Sequence, residues 1–519
     1  MQTIAQLLLE RARDSSHRVF CTFRGRDVRY ADLLAGVQEM AGALAQARVK
    51  PGARVGLMLP PSIEHIELFL ALSWLGASAV PFSVHLKSAG LELQLRSSQP
   101  AVMVAARAFE PVIRQALAGL DSSPALVWLD DQVADAAERS LASMRRASSP
   151  ILHPAARSLD DLLAISYTSG TTGAPKGVML SEGYFWVGAK NAGVLSDASR
   201  DDTYFMWEPF YHIAAWMTLL LALQKGLRVY MVESFSASRI WQQIAEAKAT
   251  KFHYLGGMVN ILLSRPVVEE EKNNTLQIAW GAACPADSWR RFEQRFDVVV
   301  REGYGISEGQ NFTHLNLEGV VGSIGYPVQE MDSWIEDDQG HRVGSGVLGE
   351  IVLRPKRPGL VMQGYFGEPE RTREVLRADG CVLTGDLAVQ DEAGRFYFKG
   401  RKKDALRRRG ENVSAWEVER VLNEAPGVEE SAVVGVPSPL GEQDILAVLK
   451  LRHGEHADPL LIARYCADRL AYYQVPRYLQ FVDEFPRGPT QRIRKAELNI
   501  DVRSAWDSEK AGFRPSRST

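Results

Sequence analysis

Residues Tyr167-Thr168-Ser169-Gly170-Thr171-Thr172-Gly173-Ala174-Pro175-Lys176-Gly177 place four Ser and Thr hydroxyls, three glycines and one lysine in a stretch with almost nothing apolar in it. That mixture suits a polyphosphate. Glycines let backbone N–H groups approach an anion, hydroxyls donate further hydrogen bonds, and the lysine supplies charge. The Gly-Lys-Ser/Thr ending of the common NTPase loop is missing, so this is phosphate chemistry of another design. Apolar runs at 162–165 and 178–180 flank the stretch, which is therefore expected to join two strands. On composition alone, a solvated Ser/Thr/Gly loop accounts for it equally well.

A loop that grips an anion needs stable elements on both sides. Apolar runs at 55–59, 79–82, 126–129, 228–232 and 252–255 read as strands, alternating with helical patterns at 63–75, 236–248 and 285–296. Such alternation predicts stacked α/β layers with largely parallel sheets. From about 320 to 400 the texture shifts to short strands and turns, at 349–353, 380–389, 391–394 and 395–399, which indicates a small β-rich subdomain. A basic stretch at 401–409 follows. Beyond it, Ser414 and Glu417 form a capping-box pattern ahead of Val418, Val421 and Leu422. Strands are expected at 431–436, 445–452 and 478–482, with a helix opening at Asp458-Pro459. The fold class is thus α/β: a large N-terminal domain over 1–402, then a small α+β domain over 403–519. The tail after about 507 reads as polar and loose.

At 519 residues the chain exceeds what one core usually supports. A net charge of −3 gives no general pull toward nucleic acid or an anionic membrane. Cys21, Cys284, Cys381 and Cys466 lie far apart with no CxxC pair, which excludes a zinc cluster or disulfide framework and suits a reducing compartment. The first residues carry Ile4, Leu7, Leu8 and Ala12 at helical spacing, with charge already at Glu10 and Arg11, unlike a signal peptide. The longest apolar runs, 68–82 and 213–223, fall short of the ~18 residues a membrane span needs. A cytoplasmic location is expected.

Further motifs repeat the theme of nucleotide chemistry. In chain order they are Phe210-Tyr211-His212-Ile213, Gly281-Ala282-Ala283-Cys284-Pro285, Gly303-Tyr304-Gly305-Ile306-Ser307-Glu308, Thr384-Gly385-Asp386, Gly400-Arg401-Lys402-Lys403-Asp404, and Arg407-Arg408-Arg409-Gly410-Glu411-Asn412-Val413. With the Thr-Ser-Gly-Thr-Thr-Gly-x-Pro-Lys-Gly loop, their order and spacing resemble the acyl-adenylate-forming superfamily over nearly the whole chain. The segments 407–417 and 470–478 look most like its crotonobetaine/carnitine–CoA ligase branch.

The resemblance implies ATP, Mg2+ and CoA as the molecules bound, and a carboxylic acid as substrate. Thr168, Ser169, Gly170, Thr171, Thr172, Gly173 and Lys176 would hold phosphates, and Gly281, Ala282 and Ala283 would pack on adenine. Tyr304 and Gly305 would stack on the base, Ser307 would reach the α-phosphate, and Glu308 with Thr171 would hold the metal. Asp386 would take the ribose hydroxyls with Arg401 beside it. Lys403 would be the hinge of a mobile C-terminal domain, and Arg408, Gly410 and Glu411 would lie along CoA. The acyl pocket would draw on Trp207, His212, Trp216, Tyr254, Gly257 and Met258. Those aromatics could cage a quaternary ammonium, pack a flat ring, or belong to the core.

One motif departs from the pattern. The family's Thr-Gly-Lys-Ile is Thr490-Gln491-Arg492-Ile493 here, so Arg492 stands where a catalytic lysine is expected. Arginine keeps the charge but presents it as a planar fork. Either Arg492 is the acting cation, or nearby Lys495 is, or the adenylation half-reaction is slow. The function implied is an ATP-dependent acid–CoA ligase. An enzyme loading a carrier protein and a relative that lost catalysis are the alternatives. A homodimer is compatible with everything above.

Overall fold

The computed structural model describes residues 2–131, 138–168, 175–402, 405–408, 411–438, 443–470, 472–488 and 493–515. The described residues of 1–170, 174–333 and 353–383 form one compact unit, and those of 334–352 and 384–519 form a second.

The first unit is built on two large sheets. In the nine-stranded sheet the order is Tyr326–Pro327, Gln310–Asn316, Val299–Ile306, Ile278–Ala282, Lys251–Leu255, Thr203–Met206, Arg228–Met231, Val19–Phe23 and Arg26–Arg29. The six strands from Val299–Ile306 to Val19–Phe23 run parallel, and antiparallel strands close both edges. The eight-stranded sheet runs Gly364–Tyr365, Lys176–Ser181, Leu162–Thr168, Ser78–Pro81, Arg54–Met58, Val102–Ala105, Ala125–Trp128 and Arg139–Ser140. Its long parallel section has the buried, Val- and Leu-rich strands that helices on both faces require.

Amphipathic helices cover the sheets. Ile240–Ala247, Gly256–Ser264 and Ala286–Phe296 bring Trp241, Val259, Trp289 and Phe296 onto Phe205, Phe252 and Val300 of the nine-stranded sheet. Three other helices, Ile63–Trp74, Glu182–Leu195 and Ile213–Lys225, have almost no polar face and are enclosed nearly all round. They meet at Phe69, whose ring stacks on Trp216 at 3.7 Å and meets Phe185 edge-on at 5.9 Å.

A four-stranded sheet orders Met331–Glu336, Gly349–Pro355, Val382–Gln390 and Phe396–Arg401, with the expected turn at 391–394 closed by the Gly394 N–H on the Asp391 carbonyl. A second sheet orders Val428–Pro437, Gln443–Leu451, Tyr478–Phe481 and Trp506–Asp507, packed by helices Ala415–Asn423 and Pro459–Ala467. Asp458 caps the latter helix, accepting from the Leu460 N–H at 2.9 Å, as its sequence predicts. The expectation of a loose tail from 507 is corrected. Trp506–Asp507 adds a strand, Asp507 takes the Arg477 guanidinium at 3.3 Å, and Phe513 packs on the Val418 cluster. Among the described residues, no helix is long and apolar enough to cross a membrane.

Candidate active site

The flanking strands of the Ser/Thr/Gly stretch form the expected hairpin. Leu162–Thr168 and Lys176–Ser181 pair antiparallel, with Thr168 directly opposite Lys176, so the loop is closed at its base and Lys176 belongs to a strand. Ser169, Gly170, Thr171, Thr172 and Gly173 lie outside the described residues. On the other side, the short strand Gly364–Tyr365 pairs Tyr365 with Val178. The Lys176 Nζ sits 4.5 Å from the centre of the Tyr365 ring. The Tyr365 hydroxyl donates to Glu308 Oε1 at 2.8 Å.

Glu308 lies in the turn between Val299–Ile306 and Gln310–Asn316, and residues 360–366 stitch that turn to the lysine strand. The Met362 N–H donates to the Glu308 carbonyl at 2.9 Å, Gln310 Nε2 donates to the Leu360 carbonyl at 2.9 Å, and the Phe366 N–H donates to the Gly177 carbonyl at 2.8 Å. Lys176 and Glu308, remote in sequence, are thus brought to one place through Tyr365. Burial, then the adjacent Glu308 carboxylate, push the Tyr365 phenol upward, so it remains an O–H donor.

The second cluster forms where parallel strands end. Strands Thr203–Met206, Lys251–Leu255, Ile278–Ala282 and Val299–Ile306 point the same way, and ligands of open α/β sheets bind beyond such carboxyl ends. Trp207, Gly256, Ala283 and Ser307 follow these four strands. The turn after Ala282 is held by Glu302, a residue the sequence reading passed over. Its Oε1 accepts the Ala283 N–H at 2.5 Å, and its Oε2 accepts the Cys284 N–H at 3.1 Å and the Tyr254 hydroxyl at 2.6 Å. Burial raises the Glu302 carboxyl to about 8 even against these donors. Ala283 adopts φ +65°, a strained value for alanine that this clamp sustains.

Small residues are required here by close backbone approach. A Cβ on Gly281 would lie 2.0 Å from the Tyr254 carbonyl oxygen, and one on Gly256 would lie 1.8 Å from that of Ala283. Gly305 makes the turn past Tyr304 possible, since a Cβ there would meet the Asn311 carbonyl at 2.1 Å. Tyr304 is buried and meets His314 edge-on at 5.6 Å. Ser307 is half-buried beside Glu308.

The acyl-pocket positions differ among themselves. Trp216 is enclosed, stacked on Phe69 and donating through Nε1 to the Phe210 carbonyl at 2.7 Å. Tyr254 is fully buried with its hydroxyl on Glu302, and Met258 is buried in the same cluster. Trp207 donates through Nε1 to the His253 carbonyl at 2.7 Å. Gly257 is exposed, and space for a side chain is open around it. His212 stands at the N-cap position of the helix Ile213–Lys225 and makes no side-chain capping bond. Its Nε2 is enclosed without a hydrogen-bond partner among the described residues. Enclosure lowers the His212 pKa to about 4, opposed by the field of Glu208. Glu208 itself is buried against His253 Nδ1 at 2.6 Å, a pair that sequence reading did not single out.

In the second unit, Asp386 is directly opposite Arg401 across two antiparallel strands, and its Oδ1 lies 3.1 Å from Arg401 Nε. The turn before Asp386 is fixed by Thr384 Oγ1 donating to the Ile351 carbonyl at 2.7 Å and by the Gly385 N–H on Glu350 Oε1 at 2.8 Å. Gly385 takes φ +67°, which explains glycine there. Arg408 is buried, with Nε 3.4 Å from Asp444 and with Nη1 donating to the Tyr473 and Val475 carbonyls. Lys495 pairs with Glu419 at 2.7 Å. Lys403, Gly410 and Arg492 lie outside the described residues, as does the Glu411 side chain.

This is the fold of adenylate-forming enzymes. The chain belongs to the AMP-binding enzyme family: residues 8–366 match the AMP-binding enzyme and residues 417–492 match the AMP-binding enzyme C-terminal domain. It is 31% identical to sulfoacetate–CoA ligase of Cupriavidus necator over 481 residues, covering 91% of this chain and 92% of that one. It is 28% identical to crotonobetaine/carnitine–CoA ligase of Salmonella paratyphi A over 493 residues, with 91% and 93% covered. The crystal structure of ATP-bound MatB from Rhodopseudomonas palustris superposes with a TM-score of 0.87 at 25% identity, covering 95% of this chain and 98% of that one.

Proposed function

We propose that this chain is an ATP-dependent carboxylic acid–CoA ligase working in two half-reactions. A carboxylate is a poor acyl donor, so its oxygen first attacks the α-phosphorus of ATP. Pyrophosphate leaves and an acyl-adenylate forms. The CoA sulfur then attacks the acyl carbon, the thiol proton is lost to solvent, and AMP departs with the electrons of the cleaved C–O bond. The observation that carries this reading is the meeting of Lys176 and Glu308 at Tyr365, a cation for phosphate and a carboxylate for a metal at the base of the hydroxyl-rich loop.

No group of three or more His, Cys, Asp or Glu gathers for a metal among the described residues, and Glu308 offers one hard carboxylate oxygen. That donor set fits Mg2+, which takes one or two carboxylates and fills its shell with water and substrate phosphates. Glu308 would hold it with the Thr171 hydroxyl, and when bound it neutralises charge on the phosphates. Lys176 would hold the phosphates, Asp386 the ribose hydroxyls, and the turn 281–283 with Tyr304 the adenine. His212 would face the acid. Arg492 would grip carboxylate and α-phosphate during adenylation.

The domain boundary would fall at 402/403, with Lys403 as hinge and 403–519 turning between half-reactions. The cytoplasm, where ATP and CoA are abundant, is the proposed location. The test is a panel of carboxylic acids incubated with ATP, with and without CoA, following AMP and pyrophosphate. AMP release that depends on both CoA and one class of acid is expected. AMP release that needs a carrier protein instead of CoA would overturn the acceptor, and absence of pyrophosphate exchange with every acid would overturn catalysis.

A further inference from the structure

We propose that Tyr365 is a positioning residue that keeps the Lys176 ammonium and the Glu308 carboxylate apart, so that neither neutralises the other before nucleotide arrives. This rests on the function proposed above. Two opposite charges at one site attract, and a direct ion pair would satisfy both and close the site to a polyphosphate and its metal. Tyr365 gives each charge a different end of one side chain. The ring face receives Lys176 at 4.5 Å, a contact that consumes no hydrogen-bond acceptor. The hydroxyl donates to one oxygen of Glu308 at 2.8 Å, which leaves the second oxygen as a separate ligand.

The backbone of Tyr365 is fixed well enough to act as a spacer. It pairs with Val178, so Lys176 is its diagonal neighbour on the adjacent strand, within reach of an aromatic ring. Its N–H donates to Thr372 Oγ1 at 2.9 Å. Gly364 before it takes φ +134°, and a Cβ there would lie 2.9 Å from the Thr372 methyl, so the strand can sit this close to the helix Pro369–Val375 only with glycine. Glu308 is held from behind by the Met362 N–H on its carbonyl.

The two ends can be cut separately. Tyr365→Phe removes the hydroxyl and keeps the ring, and Tyr365→Leu removes both. Binding of ATP without acid is measured calorimetrically, with and without Mg2+. For Tyr365→Phe, ATP affinity without Mg2+ is expected to stay within about twofold, while the gain that Mg2+ confers falls by roughly tenfold, the scale of a lost hydrogen bond to a charged group. For Tyr365→Leu, ATP affinity is expected to fall by about tenfold in metal-free buffer as well, because Lys176 is released onto Glu308. In a Glu308→Gln background, adding Tyr365→Phe should cost nothing further in the Mg2+ gain, because the hydroxyl acts through that carboxylate. An unchanged Mg2+ gain in Tyr365→Phe overturns the proposal. Equal losses with and without Mg2+ in that variant also overturn it, since they mark a purely structural tyrosine. A wild-type chain that binds no ATP overturns the proposed function instead.

Discussion

Glu302 accepts the Tyr254 hydroxyl at 2.6 Å on one carboxylate oxygen and the Ala283 N–H at 2.5 Å on the other. One buried acid therefore joins a strand side chain to the turn proposed to carry adenine, and the geometry of that turn depends on it.

The protonation of Glu302 sets a stability profile. Its folded pKa of about 8 lies above the ordinary 4.5, so the unfolded chain ionises first as pH rises. The folded state loses relative stability from about pH 4.5 and levels off above pH 8. Glu302→Gln mimics the protonated acid and should lack that decline. Its melting temperature relative to wild type is expected to rise between pH 5 and pH 8, while Glu302→Ala, which loses these hydrogen bonds, is destabilised by about 2–4 kcal/mol near pH 5 and by less as pH rises. Thermal unfolding across this pH range, followed for both variants, checks the sign.

Asp386 is nearly sealed, with 2% of its surface exposed, and already engages Arg401. Asp386→Asn keeps the shape and removes the charge that a ribose diol would use. The KM for ATP is expected to rise by roughly tenfold, the scale of one or two charged hydrogen bonds. Steady-state kinetics at saturating acid and CoA measures it, and an unaltered KM would detach this residue from the nucleotide.

Arg492→Ala is expected to slow pyrophosphate release by roughly a hundredfold, by analogy with loss of one oxyanion donor. Thioester formation from supplied acyl-adenylate should be nearly untouched. Lys495→Ala should matter little, because the Lys495 ammonium is engaged by Glu419 at 2.7 Å. The opposite pattern would make Lys495 the acting cation.

Lys403→Pro fixes φ at the proposed hinge. Adenylation needs a single domain orientation, so pyrophosphate formation should survive better than thioester formation. Separate assays of the two half-reactions decide it, and equal loss of both would move the hinge elsewhere.

What the sequence disclosed follows from what local patterns carry. The hairpin around Lys176, the strands near 55, 79, 228 and 252, and the capped helix after Asp458 all have short-range signals, and the structure places them within a residue or two. Glu302, Tyr365 and Glu350 had none. Each acts on a segment far away in the chain, and only the parallel register that sets Tyr254 beside Gly281 and Gly281 beside Glu302 makes the first of them meaningful. An acid after the apolar run 298–300 was the one available hint. The tail was misread for a related reason, since the ion pair of Asp507 with Arg477 leaves no periodicity to find.

Gly281 has a consequence for anyone who would reshape this molecule. It lies between Tyr254 and Glu302 in one row across three neighbouring strands, and a Cβ on it would come within 3.0 Å of the Tyr254 ring. The tyrosine reaches its acid by leaning over the gap where a side chain is lacking. Large, empty and acidic positions thus form a single word read across the sheet. Changing one letter blocks the reach, leaves a hole, or strands a carboxylate, so libraries aimed at this end of the fold should vary the three positions as a set.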